Sequence, residues 1–224
     1  MAKTYLDLCN WVLPRIGYSG QMNTVTGTSR DHALVAQAVA DADVEIQSIH
    51  QDWKFLQSQE TVSLAAGDGV IDPIPEAASY RVHPWEMRQA DGTRFRVAVG
   101  FGDPPWSDIT GETGQPGKIW IQPDNRMVVV PMADGDYELD VEYNRKPVRM
   151  TEGDDEPLIP EQFRMVIAHR ALQHLCQIEE AMALEQFSHR AYLEWVMRLQ
   201  NDQMPGHQPL GLGENLMTEV VRAQ

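Results

Sequence analysis

The chain has 224 residues, of which 42% are hydrophobic, so it is long enough for one large domain or for a domain with an insertion. Its 33 acidic and 18 basic residues give a formal net charge of −15. This charge argues against a nonspecific nucleic-acid clamp, which needs lysine and arginine to neutralise phosphates. Two cysteines are too few for a disulfide framework, and no apolar run approaches the roughly 18 residues of a membrane span. We therefore expect a folded protein made in a reducing cytoplasm.

Two amphipathic helices are predicted near the N-terminus. Thr4 and Asp7 have the spacing of a capping box, and the first helix extends to Gly17, although Pro14 should kink its last turn or end it early. Ser29 can cap a second helix that ends around residues 50–55. The apolar stripe of the second helix consists of Val35, Val39, Ala42, Ile46, Ile49 and Trp53.

Residues 59–150 have the short, alternating patterns of β-strands separated by glycine, proline and aspartate. Asp91-Gly92 predicts one hairpin, and the turn at Pro123–Arg126 predicts a second. Residues 137–143 alternate strictly between apolar and acidic side chains, which is typical of a strand with one buried face. We therefore predict a small antiparallel sandwich or barrel, with a long Gly/Pro-rich loop from Gly100 to Lys118.

Helical periodicity returns after the acidic linker Glu152–Glu156. Pro160 suits the first turn of a helix, and two apolar stripes follow, one from Phe163 to Ile178 and one from Leu184 to Trp195. No glycine or proline separates the stripes, so either one long helix or a hairpin that turns near residues 179–183 fits the pattern. Packing favours the hairpin, because a helix of about 40 residues would span about 60 Å.

These patterns predict an α+β fold in which a β domain is inserted into a bundle of about four helices. The bundle is discontinuous, with residues 1–58 and 154–203, and an extended tail follows at 204–224. The predicted core of the bundle consists of Val35, Val39, Ile46, Ile49, Trp53, Phe163, Ile167 and Phe187.

Candidate chemistry is sparse. His169 and His174 are five positions apart, whereas zinc pairs on one helix face are usually about four apart, so we expect surface or interface histidines here. The consecutive acids Asp154–Glu156 lack the alternating spacing of a calcium loop and indicate a solvated linker. No nucleophile elbow, phosphate loop or paired-cysteine motif occurs, so we predict no catalytic residue, metal or cofactor.

Two segments instead suggest contacts with other proteins. Trp106, Asp108 and Ile109 lie in the long loop, where an exposed tryptophan is typical of a protein contact. Together with Tyr80 and Trp120, Trp106 could alternatively form an aromatic platform for a sugar. The tail is Gly/Pro-rich yet carries spaced apolar residues, which suggests either docking onto a partner or a frayed terminus. The apolar residues of the tail are Leu210, Leu212, Leu216 and Val220.

Short stretches in a fixed order carry a resemblance to a known family. They are Tyr5–Leu8 with Val12–Gly17, then Glu45–Gln47 with His50–Phe55, and finally Asp155–Phe163. This sequence resembles the head-to-tail adaptor (connector) proteins of tailed bacteriophages, including the tubular-tail gatekeeper type. The resemblance covers most of the chain, and the second and third of these stretches stand at the two borders between the bundle and the β insertion.

The resemblance implies a structural protein of the virion neck, with no enzymatic activity. Such adaptors commonly form dodecameric rings below the portal, extend the DNA channel and provide a platform for tail or nozzle proteins, and their C-terminal segments often reach onto the portal. The expected partners are therefore other copies of this chain, the portal protein, tail or neck proteins and passing genomic DNA that is not read for sequence, with no membrane. The alternatives are a carbohydrate-binding or cell-wall-degrading tail protein and a DNA-binding regulator, and net charge disfavours the regulator.

Overall fold

The structure is a computed structural model, and it describes residues 4–26, 29–105 and 111–204. The chain divides into two compact units. The helical unit combines Met1–Phe55 with Pro147–Gln224, and the β unit is Leu56–Lys146. The β unit is thus inserted between the two stretches that build the helical unit, and the predicted α+β class is confirmed.

The first helix, α1, covers Tyr5–Val12 and has the predicted capping box. The Thr4 hydroxyl accepts the Asp7 N–H, and the Asp7 carboxylate accepts the Thr4 N–H. The helix ends before Pro14, which cannot donate the next backbone hydrogen bond. It is therefore shorter than the predicted span to Gly17. Gly17 completes the following turn with φ +91°.

The second helix, α2, covers Arg30–Ile49, and the Ser29 hydroxyl accepts the His32 N–H as its N-cap. Val35, Val39 and Ile46 are fully buried, whereas Ile49 is 39% exposed, contrary to the expected core position. The helix ends at Ile49, and the chain then turns so that Trp53 fills the core. The indole N–H of Trp53 donates to the Ile46 carbonyl, which holds the ring in place. A single-turn 3-10 helix follows at Lys54–Leu56.

The last two helices form a hairpin, which decides between the two predicted arrangements. After a short 3-10 turn at Glu161–Phe163, α3 covers Met165–Ile178 and α4 covers Met182–Gln203. The Ala181 N–H donates to the Cys176 carbonyl, and Glu180 adopts φ +54°. This is the geometry of a Schellman C-cap, which usually uses glycine at the left-handed position.

The packed face of α4 differs from the predicted stripe. Ser188, Tyr192, Val196 and Leu199 are buried, whereas Phe187 is 65% exposed. The predicted stripe through Phe187 and the buried set both repeat at helical spacing. The set with Tyr192, Val196 and Leu199 is the one that packs inside the helical unit. Ile167 on α3 is fully buried, and Phe163 is only half-buried because it lies in the short 3-10 turn.

The β unit contains ten strands within its described residues. They are β1 Gln57–Leu64, β2 Val70–Ile71, β3 Ala77–Tyr80, β4 Trp85–Gln89, β5 Arg94–Phe101, β6 Thr113–Gly114, β7 Lys118–Ile121, β8 Met127–Val130, β9 Met132–Ala133 and β10 Tyr137–Arg145. The main sheet has the order β1-β10-β4-β5-β7-β8-β2, β3 also pairs with β10, and β6 pairs with β9.

Both predicted hairpins are confirmed as the antiparallel pairs β4–β5 and β7–β8. The alternation in β10 is confirmed as well, since Tyr137, Leu139, Val141 and Tyr143 are buried. The pair β5–β7 is parallel, however, so the sheet is not wholly antiparallel. The long connection between these strands returns the chain to the same end of the sheet, which a tight turn cannot do.

Candidate functional site

The residues predicted to contact partner proteins lie outside the described part of the chain. This applies to Trp106, Asp108 and Ile109 of the loop and to Leu210, Leu212, Leu216 and Val220 of the tail. The proposed aromatic platform is also not assembled from the remaining residues. Tyr80 is buried and its hydroxyl accepts the Ile74 N–H, so its ring is not available on the surface.

The two histidines of α3 lie in different environments. His169 packs edge-on against Trp11, with 5.1 Å between the ring centroids. His174 lies with its Nε2 3.1 Å from a carboxylate oxygen of Glu45. Burial is the main cause that lowers the pKa of both histidines. Across residues 4–26, 29–105 and 111–204, no group of three or more His, Cys, Asp or Glu side chains could hold a metal ion.

A polar network fixes the relative positions of α2, α3 and α4. The Arg170 guanidinium donates to both carboxylate oxygens of Glu45, at 2.9 and 2.5 Å, and to Gln173 at 2.7 Å. Gln173 in turn lies 3.0 Å from His189 on α4. Because charge-assisted and bidentate hydrogen bonds are the strong ones, this network holds the three helices in register.

The acidic linker is ordered by its own side chains. The Asp155 carboxylate accepts the backbone N–H groups of Glu152 and Thr151, and these two hydrogen bonds lower its pKa. Glu156 pairs with the buried Arg164 at 3.0 Å, and the Arg164 guanidinium also donates to the carbonyls of Pro157 and Ile159. These carboxylates therefore shape the entry into α3, a role that the sequence pattern of a solvated linker did not predict.

A buried carboxylate lies on the side of α2 that sequence periodicity assigns to solvent. Asp43 and Gln47 are each 1% exposed. The Gln47 amide donates to Asp43 at 2.8 Å and to the Val148 carbonyl at 3.0 Å, and it accepts the Val148 N–H at 2.9 Å. Burial raises the pKa of Asp43 to about 7, although its contact with Gln47 opposes this shift. This cluster fastens the segment that returns from the β unit onto α2.

Among the described residues of the helical unit, most of the large exposed apolar side chains lie on the α3–α4 hairpin. Ile178 is 60% exposed, Met182 is 76% exposed and Phe187 is 65% exposed. Met197 on the same helix as Phe187 is 49% exposed. Exposed apolar groups that cluster on one element are typical of protein-interaction sites. The sequence pattern did not reveal this surface, because Ile178 and Phe187 fit the predicted buried stripes and Met182 and Met197 lay outside them.

The sheet of the β unit presents two different outer surfaces. Over β10, β4 and β5, this surface is charged, with ion pairs between Arg88 and Glu138 at 3.1 Å and between Arg94 and Glu86 at 3.0 Å.

Over β5, β7, β8 and β2, the strand register instead aligns an apolar row. Its members are Gly100, Trp120, Val128 and Val70. A Cβ atom at Gly100 would lie 2.9 Å from the Trp120 ring, so glycine lets this ring lie flat on β5. Val70, at the end of the row, is 55% exposed. The apolar row is thus a second candidate contact surface.

A cleft of about 520 Å³ lies at one end of the β unit, between the turn after β1, the β4–β5 hairpin and the start of β10. Its polar lining includes Asp68, Asp136, Arg88 and Glu138. Asp68 accepts the Ala65 N–H, and Arg88 pairs with Glu138. Asp68 thus stabilises the turn after β1, and the Arg88–Glu138 pair links β4 with β10 beside the cleft.

Comparisons with known proteins identify the family. A chain in a structure described as "Neck of empty GTA particle computed with C6 symmetry" is 16% identical, and the alignment covers 77% of each chain with a TM-score of 0.29. None of the curated proteins matches this chain. No helix in the described part of the chain is long and apolar enough to cross a membrane. The family described as SU10 adaptor protein matches residues 3–207. This match spans both units, so the chain belongs to the SU10 adaptor protein family, and the predicted resemblance to head-to-tail adaptors is confirmed.

Proposed function

We propose that this adaptor assembles as a ring in the virion neck, where it binds the portal above and tail or nozzle proteins below. The observation that carries the proposal is the family match over residues 3–207, which includes most of the helical unit and the complete β unit. The ring would extend the channel through which genomic DNA passes. The resemblance implies twelve-fold assembly on a portal after synthesis in the host cytoplasm.

A structural rather than enzymatic role is part of this proposal. Asp155 and Arg164 bind backbone groups, Arg170 bridges helices, and the half-buried His174 lies beside Glu45. These polar side chains are thus occupied in maintaining the fold, whereas the large apolar side chains on the surface are free to contact proteins. This distribution supports a scaffold whose function resides in its surfaces.

The proposed portal contact is the C-terminal tail, residues 204–224. Its apolar side chains Leu210, Leu212, Leu216 and Val220 would be buried on the portal. Burying three leucines would contribute about 1.5–3 kcal/mol each before the cost of ordering the tail, and repetition around a ring multiplies the gain through avidity. The long loop with Trp106, Asp108 and Ile109 is the proposed contact for tail proteins, while the helical unit joins neighbouring subunits.

Net charge suggests how DNA passes through the ring. The formal charge of −15 per chain would make the lumen repel phosphates, so the DNA would slide without sticking. We expect the axial channel of the assembled ring to be acidic. A neutral or basic lumen in a reconstruction of the assembled neck would refute this part of the proposal.

Truncation after Gln203 tests the tail contact. We expect the truncated chain to keep its helical content but to bind purified portal rings at least tenfold more weakly, because most of the apolar contact is lost. Replacing Leu210, Leu212 and Leu216 with serine should have a similar effect, whereas replacing the polar Gln208 and Glu214 with alanine should not. Unchanged portal affinity of the truncated chain would disprove the tail contact.

A further inference from the structure

The turn between α3 and α4 combines apolar and acidic side chains on an exposed surface. We call Ile178, Glu179, Glu180 and Met182 the hairpin tip. Ile178 and Met182 are 60% and 76% exposed, and Glu180 makes no ion pair with any described residue. Glu179 accepts a hydrogen bond from the Tyr18 hydroxyl at 2.6 Å, which anchors the turn to the chain after α1. The hairpin tip is therefore a fixed apolar projection with a negative charge.

One exposed face of α4 is also apolar but carries the opposite charge. Phe187, Arg190, Glu194, Met197 and Arg198 lie on this exposed face at helical spacing, and we call them the α4 outer face. Glu194 pairs with Arg198, whereas Arg190 forms no ion pair within the described chain. The α4 outer face is therefore apolar with a net positive charge. This is unusual in a chain whose net charge is −15.

We propose that the hairpin tip of one subunit docks on the α4 outer face of the next subunit in the ring. This inference rests on the proposed ring assembly and names the surfaces that join its copies. Ile178 and Met182 of one copy would pack against Phe187 and Met197 of its neighbour. The carboxylate of Glu180 would lie close to the free guanidinium of Arg190.

A second copy of this chain is the occupant that the charges favour. Two copies that each carry −15 repel each other unless the contact pairs opposite charges, and the α4 outer face supplies an unpaired cation for that purpose. The hairpin tip and the α4 outer face are different surfaces, so the contact between them is heterologous. Each copy carries both surfaces and can therefore bind one neighbour on each side. A heterologous contact repeats around a closed ring, whereas a contact between identical patches stops at a dimer.

Charge reversal tests the pairing directly. The number of chains bound to the purified portal ring should be about tenfold lower for the full-length Arg190→Glu variant than for the wild type at the same concentration. The reason is that like charges across an interface cost several kcal/mol. The double variant Glu180→Arg with Arg190→Glu should regain occupancy to within about threefold of wild type, since it restores opposite charges. Native mass measurement of the portal complex counts the bound copies.

The control is Arg96→Glu, which makes the same charge change at an exposed position of the β unit. It should leave occupancy unchanged, and all variants should keep the circular dichroism and melting temperature of the wild type. If Arg190→Glu fills the ring as well as the wild type, or if the charge swap fails to restore a lost ring, the proposed contact is wrong. Failure of the wild-type chain itself to bind portal would instead refute the adaptor ring on which the contact rests.

Discussion

At the residue scale, the least predictable feature is the burial of polar side chains. In the sequence, Asp43 and Gln47 lie off the apolar stripe of α2 and indicate a solvent face, yet both are buried. The cause is the returning segment at Val148, about a hundred positions away along the chain, which covers that face. The periodicity of one helix cannot show that a segment so distant in the sequence covers its polar face. In contrast, the capping residues Thr4 and Ser29 act on neighbours within the same turn, so the sequence predicts them correctly.

The raised pKa of Asp43 predicts how stability depends on pH. The folded chain releases this proton at about pH 7, whereas the unfolded chain releases it near the ordinary value of 3.8. Between these values the folded state binds more protons, so the free energy of unfolding falls as the pH rises. Asp43→Asn removes this loss. We therefore compare the free energy of unfolding of the variant with that of the wild type at each pH. We expect the difference, variant minus wild type, to grow by roughly 2–3 kcal/mol from pH 5 to pH 8, at about 1.4 kcal/mol per pKa unit.

Urea unfolding at several pH values measures this difference. Asp154→Asn, which removes an exposed carboxylate from the same unit, is the matched control and should show no comparable trend. If Asp43→Asn raises the free energy of unfolding by the same amount at pH 5 and pH 8, then Asp43 is not a buried carboxyl group that ionises near neutrality.

At the element scale, local signals predict where most helices and hairpins lie, but not which of two competing faces is packed. Asp91-Gly92 gives the β4–β5 hairpin, and Pro14 ends α1 early. The stripe through Phe187 and the buried face through Tyr192 have the same period, so only packing against the rest of the bundle distinguishes them. The turn at Glu180 is likewise not evident from the sequence, because a glutamate occupies a left-handed position that usually carries glycine.

Glu180→Gly should therefore stabilise the helical unit. Glycine adopts φ +54° without the steric cost of a side chain, so we expect a gain of about 0.5–1 kcal/mol in the free energy of unfolding. Chemical denaturation of the chain without portal measures this effect. Glu180→Ala also removes the carboxylate but keeps the Cβ atom, so it should be less stable than the glycine variant. Equal stability of the two variants would show that the backbone at Glu180 is not strained.

At the scale of the whole molecule, the order of motifs predicts the architecture better than any single motif. Helical periodicity at both ends and strand periodicity between them predict an inserted β unit, and the structure divides the chain at residues 55–56 and 146–147. The parallel pairing of β5 with β7 could not be predicted, because it depends on the path of a long loop rather than on a local turn. The exposed apolar surfaces likewise emerge only once the fold decides which side chains remain uncovered.

We propose that this member of the SU10 adaptor protein family works as a ring-forming adaptor between portal and tail. The decisive test of this role is a native mass measurement of the full-length chain, alone and with the purified portal ring of its phage. We predict a portal complex whose mass increases by one complete ring of this chain, with saturation at that number of copies. A portal mass that is unchanged in the presence of excess chain would show that this protein is not a portal-bound ring adaptor.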